Sequence, residues 1–280
     1  MSRDARSGLV GVLVPLVHDA YFSAILAGAA EAAYEHELRL VLEQTLHEHA
    51  REVAELARLM RGIGDGALIV LPEESSAELE LALSDGYPFV VVDPLMPLDR
   101  RIPTVAADHR SGADEAMGHL LDLGHRKIAA IAGPPGWLAT EERRRAYHEA
   151  LAGIGVEPVE VASDFEVAPG AEAAAALLDR PEPPTAIFAF NDAIAIGALR
   201  AARERGIRVP EDVSVVGFDD IVHTTLVTPP LTTVRQPLAE MGRAAIGLLL
   251  RLLDGGRPEA QHVELPTRLV VRESTAAPRG

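Results

Sequence analysis

The sequence contains no cysteine, which excludes disulfides, thiolate metal ligands and thiol nucleophiles. It is short of cations: 26 Lys and Arg stand against 42 Asp and Glu, for a net charge of −16. Such a charge repels a phosphate backbone, whose neutralisation needs clustered Lys and Arg, so these residues alone are not expected to hold DNA tightly. Long apolar runs are missing too, and no window approaches the roughly 20 residues of a membrane span. The run Leu9–Leu16, interrupted at Pro15, is too short for the apolar region of a secretory signal. The expectation is a cytoplasmic protein. Several catalytic signatures are absent as well: there is no Gly-x-Ser-x-Gly elbow, no phosphate loop ending in Gly-Lys-Ser/Thr and no His-Glu-x-x-His. Gly62–Ile63–Gly64–Asp65–Gly66 precedes a predicted strand rather than following one, so it reads as a turn and not a dinucleotide fingerprint. His47 and His49 are close in sequence but point apart on a helix, and no metal site is expected there. The reading is of a protein that is not an enzyme and needs no cofactor.

What is present is an ordinary globular composition, 48% hydrophobic and 24% charged, over 280 residues. That length suits two α/β lobes of roughly 100 to 150 residues each. Apolar runs at Leu9–Val14, Leu38–Leu42, Ala67–Leu71 and Phe89–Val92 lack polar alternation, as strands covered on both faces by helices do. Between them Tyr21–His36, His49–Arg61 and Ser76–Ser84 carry apolar residues at helical spacing. The alternation predicts a doubly wound parallel sheet with ligand-binding loops at the carboxyl ends of its strands.

A second series follows. Strands are predicted at Ile128–Ala132, Val159–Val161, Ala186–Phe190 and Val213–Gly217, with helices Glu141–Gly153, Ala171–Leu178 and Asp192–Arg205 between them. A short strand and the helix Gly112–Leu123 precede that series, and Gly124 fits a C-terminal cap. The lobe boundary is placed there. The expected organisation is residues 9–124 with 236–256 as a first lobe and residues 125–235 with 257–274 as a second. Residues 1–8 read as a linker. Helix Leu238–Leu253 and strand His262–Val271 return to the two lobes in turn, with a turn at Gly255–Pro258, so several segments would join the lobes as a hinge.

Two stretches carry a specific resemblance: Gly206-Ile-Arg-Val-Pro-Glu-Asp-Val-Ser-Val-Val-Gly-Phe-Asp-Asp220 and Thr228-Pro-Pro-Leu-Thr-Thr-Val-Arg-Gln-Pro237. Together with Leu123–Ala129, Ala132–Pro135 and Pro184–Asp192, they resemble the effector-binding domain of LacI/GalR (lac-repressor) family transcription regulators, over about Leu9 to Ala277. The resemblance implies two Rossmann-like lobes of the periplasmic-binding-protein type. The family's N-terminal helix-turn-helix and hinge helix do not fit before Leu9. Ala5–Arg6–Ser7 is similar to the tail of the segment that joins them to the core, so residues 1–8 are expected to follow a DNA-binding domain.

A sugar presents adjacent hydroxyls and an apolar ring face, so its site needs carboxylates, amides, a guanidinium and an aromatic. The family-matched positions supply these. Tyr21 and Phe22 match an aromatic pair after the first strand, beside Asp19, which fits a helix N-cap as well as a contact. Asp93 and Asp108 follow strands at their carboxyl ends. Arg143, four residues before Tyr147, matches the family's ligand-clamping arginine, whose planar fork grips two oxygens. Phe165 matches a stacking aromatic, and Asn191 ends a strand as contact or N-cap. Asp219 is expected to bind hydroxyls, Gln236 to touch ligand or lock the lobe crossing, and Trp137 to shape specificity or cover the rim.

The resemblance implies a ligand held between the lobes, a homodimer, and operator DNA reached only through the N-terminal domain, with no membrane partner. Whether effector releases or promotes DNA binding stays open, as does its identity among sugars and nucleobases. The alternatives are a solute-binding receptor for sugar uptake and, more remotely, a sugar-processing enzyme.

Overall fold

The computed structural model describes residues 6–256 and 261–279. The chain divides into two compact units: residues 1–107 with 237–265, and residues 108–236 with 266–280.

The first unit is a six-stranded, all-parallel sheet in the order β11-β5-β4-β3-β1-β2. Its strands are β1 (Leu9–Val14), β2 (Arg39–Gln44), β3 (Gly66–Val70), β4 (Phe89–Val92), β5 (Thr104–Ala107) and β11 (His262–Leu265). Strands β3 and β4 are wholly buried along their length, as a sheet with helices on both faces requires. The helices are α1 (Ala20–Glu35), α2 (His49–Arg58), α3 (Ser76–Ser84) and α8 (Leu238–Leu253). Helix α3 starts with a capping box: Ser75 Oγ accepts the Glu78 amide while the Glu78 carboxylate accepts that of Ser75. Helix α2 was expected to reach Arg61, but it passes into a wider turn at Leu59–Ile63, where Gly62 takes φ 102 and ends it. Helices α1 and α8 cross at glycines. A Cβ on Gly28 would lie 1.9 Å from the Ala239 carbonyl oxygen, and one on Gly242 would lie 2.1 Å from that of Ile25.

The second unit repeats the plan with the order β12-β10-β9-β8-β6-β7, parallel except for the β10–β12 pair. Its strands are β6 (Ile128–Ala132), β7 (Val159–Ala162), β8 (Ala186–Ala189), β9 (Ser214–Asp219), β10 (Thr232–Arg235) and β12 (Arg268–Val270). Its helices are α4 (His109–Asp122), α5 (Leu138–Ala152), α6 (Val167–Leu178) and α7 (Asp192–Glu204). One sheet face packs an alanine-rich layer from α6 and α7, and the other packs Met117, Leu120, Tyr147 and Leu151 from α4 and α5 against Phe188 and Phe218.

Two boundary expectations are corrected. Residues 108–124 lie in the second unit, because Ala113, Ala116, Met117 and Leu120 of α4 fill its core beside α5. The predicted strand His262–Val271 is two strands broken at Pro266–Thr267, the first extending β5 and the second pairing with β10. The anticipated turn over Gly255–Pro258 falls partly outside the described residues. Among the described residues no helix is long and apolar enough to cross a membrane.

Candidate functional site

Parallel pairing sends every sequence-named residue of the first unit to the carboxyl edge of its sheet. Asp19 follows β1 and caps α1, its Oδ1 accepting the Tyr21 amide at 2.8 Å. Two residues on, the Tyr21 hydroxyl donates to the carboxylate of Asp93. Asp93 directly follows β4, is 7% exposed and adopts φ 53, a left-handed conformation that aspartate tolerates better than most residues. Phe22 is buried, edge-on to Tyr21 at 5.3 Å and 6.3 Å from the His47 ring. The pair thus divides its work: Phe22 anchors α1 in the core, and Tyr21 presents a hydroxyl already oriented by a carboxylate.

The second unit gathers the rest. Arg143 projects from α5 and is 3% exposed. Its guanidinium carbon lies over the Phe218 ring, 3.8 Å from the centroid, and the group donates to the Phe190 carbonyl at the end of β8. One terminal nitrogen is 3.2 Å from His109 Nδ1 and 3.7 Å from Asp219 Oδ1. Asp219 closes β9 with φ 117, is 6% exposed, and accepts a 2.6 Å bond from Gln236 Nε2. Buried charges are stable only when paired, so Arg143, Asp219 and Gln236 form one preorganised cluster of donors and acceptors. A planar fork beside a carboxylate and an amide can bind neighbouring hydroxyls in pairs.

The remaining candidates separate from this cluster by degree. Asn191 caps α7, accepting the Ile194 amide at 2.8 Å. Asp108 caps α4, accepting the Ser111 amide at 2.9 Å, and its backbone carbonyl accepts the Thr267 hydroxyl at 2.8 Å. Trp137 opens α5 with its ring 5.6 Å from that of Phe165. Phe165 itself lies over Gly133, so close that a Cβ there would come within 2.1 Å of the ring. Phe165 therefore has a packing role whatever else it touches.

Three participants escaped the sequence reading. His109 reaches Arg143 from α4, Phe218 supplies the surface on which the guanidinium rests, and Asp192 is fully buried beneath the turn that carries Asp219. The only available signal was adjacency, since His109 follows Asp108, Phe218 precedes Asp219 and Asp192 follows Asn191. Burial, then the nearby Asp219 charge, push the Asp192 carboxyl well above its usual range, against two donors that pull it down. Among the described residues no group of three or more His, Asp or Glu could hold a metal. A groove of 960 Å³ in the first unit, lined by Val53, Met60, Tyr87 and Leu252, includes none of the sequence-named residues.

The chain is similar to known proteins over most of its length. A profile of the periplasmic binding protein-like domain matches residues 117–275. The chain is 35% identical over 278 residues to the HTH-type transcriptional repressor CytR of Escherichia coli, covering 97% of this chain and 80% of that protein. It is 32% identical to the ribose operon repressor of Halalkalibacterium halodurans, covering 96% and 80%. Among solved structures it is similar to a transcriptional regulator CelR–cellobiose complex, with a TM-score of 0.88, 32% identity and coverage of 96% and 85%. It is also similar to a LacI family regulator from Enterococcus faecalis with bound ribose, with a TM-score of 0.87, 27% identity and coverage of 96% and 99%.

Proposed function

Because this chain belongs to the LacI/GalR family of transcriptional regulators, as their effector-binding domain, we propose that it senses a small sugar-like effector and thereby controls DNA binding. The observation that carries this reading is the buried Arg143–Asp219–Gln236 cluster at the carboxyl edge of the second sheet. Preorganised charges of this kind bind a ligand's hydroxyls without first paying to order themselves. In the first unit Tyr21 and Asp93 form a hydroxyl–carboxylate pair of their own at the carboxyl edge of its sheet, and in the second unit Trp137 and Phe165 present apolar ring faces. Asp19, Asn191 and Asp108 serve first as helix caps and contribute through the loops that they hold. The ribose- and cellobiose-bound relatives support a saccharide in this role.

An effector that prefers one arrangement of the two units shifts the population toward it by the difference in its affinities. In this reading the domain works as a homodimer in the cytoplasm, and operator DNA is engaged by a separate N-terminal domain; the HTH-type repressor and the ribose operon repressor that it resembles support the control of DNA.

The test is a thermal-shift screen of the purified protein against pentoses, hexoses, disaccharides and nucleosides. A ligand at a hundred times its Kd stabilises the folded state by about 2.7 kcal/mol. The expected result is a hit that disappears in folded Arg143→Ala and Asp219→Ala variants. A hit that persists in both variants would place the effector elsewhere.

A further inference from the structure

Asp192 lies at the first position of α7 and is completely buried. Its two carboxylate oxygens join three elements. Oδ2 accepts the Ile221 amide at 2.9 Å, and Oδ1 accepts the Thr233 hydroxyl of β10 at 2.5 Å. The carboxylate occupies space that only glycine leaves open, since a Cβ on Gly217 of β9 would stand 2.3 Å from Oδ1. The first turn of α7 favours negative charge at this place through the helix dipole.

The turn that Asp192 grips is an unusual one. Asp219 and Asp220 are consecutive side-chain-bearing residues at φ 117 and φ 57. Left-handed conformations are disfavoured for residues that carry a Cβ, so neighbouring groups must hold the pair in place. On one side the Asp220 carboxylate takes Arg235 at 2.5 Å, Arg272 at 2.6 Å and Thr224 at 3.1 Å. On the other side the hold is Asp192 on the Ile221 amide. Just before these anchors in the chain, the Asp219 side chain is aimed at Gln236 and Arg143. Thr233 lies three residues before Gln236, so the second bond of Asp192 fixes the strand that delivers the other half of that contact.

We infer that Asp192 is a positioning residue of the effector site, setting Asp219 and Gln236 in binding geometry without touching the ligand. The link to an effector rests on the proposed function; the link to the turn does not. Asp192→Ala removes both of its bonds, to the Ile221 amide and the Thr233 hydroxyl. Asp192→Asn keeps them, because its oxygen accepts from Ile221 and its amide donates to the Thr233 hydroxyl.

The experiment pairs crystal structures of both variants with calorimetric titration of D-ribose into wild type, each variant, Asp219→Ala, and the Asp192→Ala/Asp219→Ala double variant. In the alanine variant the expected outcome is that Asp219 leaves its left-handed conformation and the Gln236 bond breaks. Ribose affinity should fall tenfold or more, whereas the asparagine variant should stay within threefold of wild type. Neither Asp219→Ala nor the double variant should show measurable ribose binding, as expected if both substitutions act on one contact. If wild type ignores ribose, the saccharide reading loses support, and the turn geometry still decides the role of Asp192. An unchanged turn in Asp192→Ala overturns the inference. Should that variant not fold, isosteric Thr233→Val removes one anchor; an intact Asp219–Gln236 contact there would reduce Asp192 to a folding role.

Discussion

Two glutamates in the first unit make stability depend on pH in an unusual direction. Glu52 on α2 and Glu74 after β3 are 1% and 2% exposed. Glu52 Oε1 accepts the Glu73 amide at 3.2 Å, and its carboxyl interacts with that of Glu74. Burial first, then the neighbouring carboxyl, raise the Glu52 pKa, and burial raises that of Glu74 against the pull of His49. His47 and His49 turn to Glu73 and Glu78 respectively. The folded protein therefore keeps a proton that the unfolded chain releases above the ordinary value of 4.5. A group raised in this way gives its full stabilisation at low pH and loses it as pH rises. Each retained proton costs about 1.4 kcal/mol per pH unit, or about 2.7 kcal/mol between pH 6 and pH 8. Glu52→Gln keeps the shape and supplies the donor permanently. Its stability relative to wild type should climb by that amount across the interval, a difference of roughly 5–10 °C in Tm at this domain size. Melting curves of both proteins from pH 5.5 to pH 8.5 measure the difference directly. Parallel curves would refute the shared proton.

Gly28→Ala should destabilise the first unit by about 3 kcal/mol, read by chemical denaturation, because its Cβ meets the backbone of α8 and no side chain can yield. Gly247→Ala on that same α8, with open space around it, should gain about 0.5–1 kcal/mol and serves as the control. Tyr147→Phe deletes a buried hydroxyl that bonds Ile128 and Val159, and should cost about 1–3 kcal/mol in the same assay. Gly133→Ala should push the Phe165 ring aside and weaken effector binding in the calorimeter more than it lowers Tm.

The alternation of apolar runs and amphipathic segments was enough to find most elements. Runs such as Leu9–Val14 and Phe89–Val92 match their strands because full burial on both faces leaves no polar alternation to blur the ends. The lobe boundary was harder. Whether α4 belongs with the strands before it or after it depends on which core Met117 and Leu120 enter, and local periodicity does not carry that information. The break at Pro266–Thr267 was hidden because β11 and β12 each add only a short edge segment. Within the candidate site, Arg143 and Asp219 were named from the family resemblance. Their mutual pairing, the Phe218 surface beneath the guanidinium and the grip of Asp192 are products of tertiary contact.

The chain passes between its two units after residues 107, 236 and 265, so neither unit is a continuous stretch. This has a consequence for biosynthesis. As the chain emerges from the ribosome, the first five strands of the opening sheet must wait for α8 and β11, more than a hundred residues later, before their core is closed. The second sheet in turn awaits β12 and the tail, where Ser274 bonds Val215 and Thr232 and the Ala276 carbonyl meets His125. Contacts so distant in sequence form slowly and leave apolar surface exposed in the interim. A ribosome that stalls near residue 236 would release two unfinished cores at once, a nascent species that chaperones and proteases should find before any effector does.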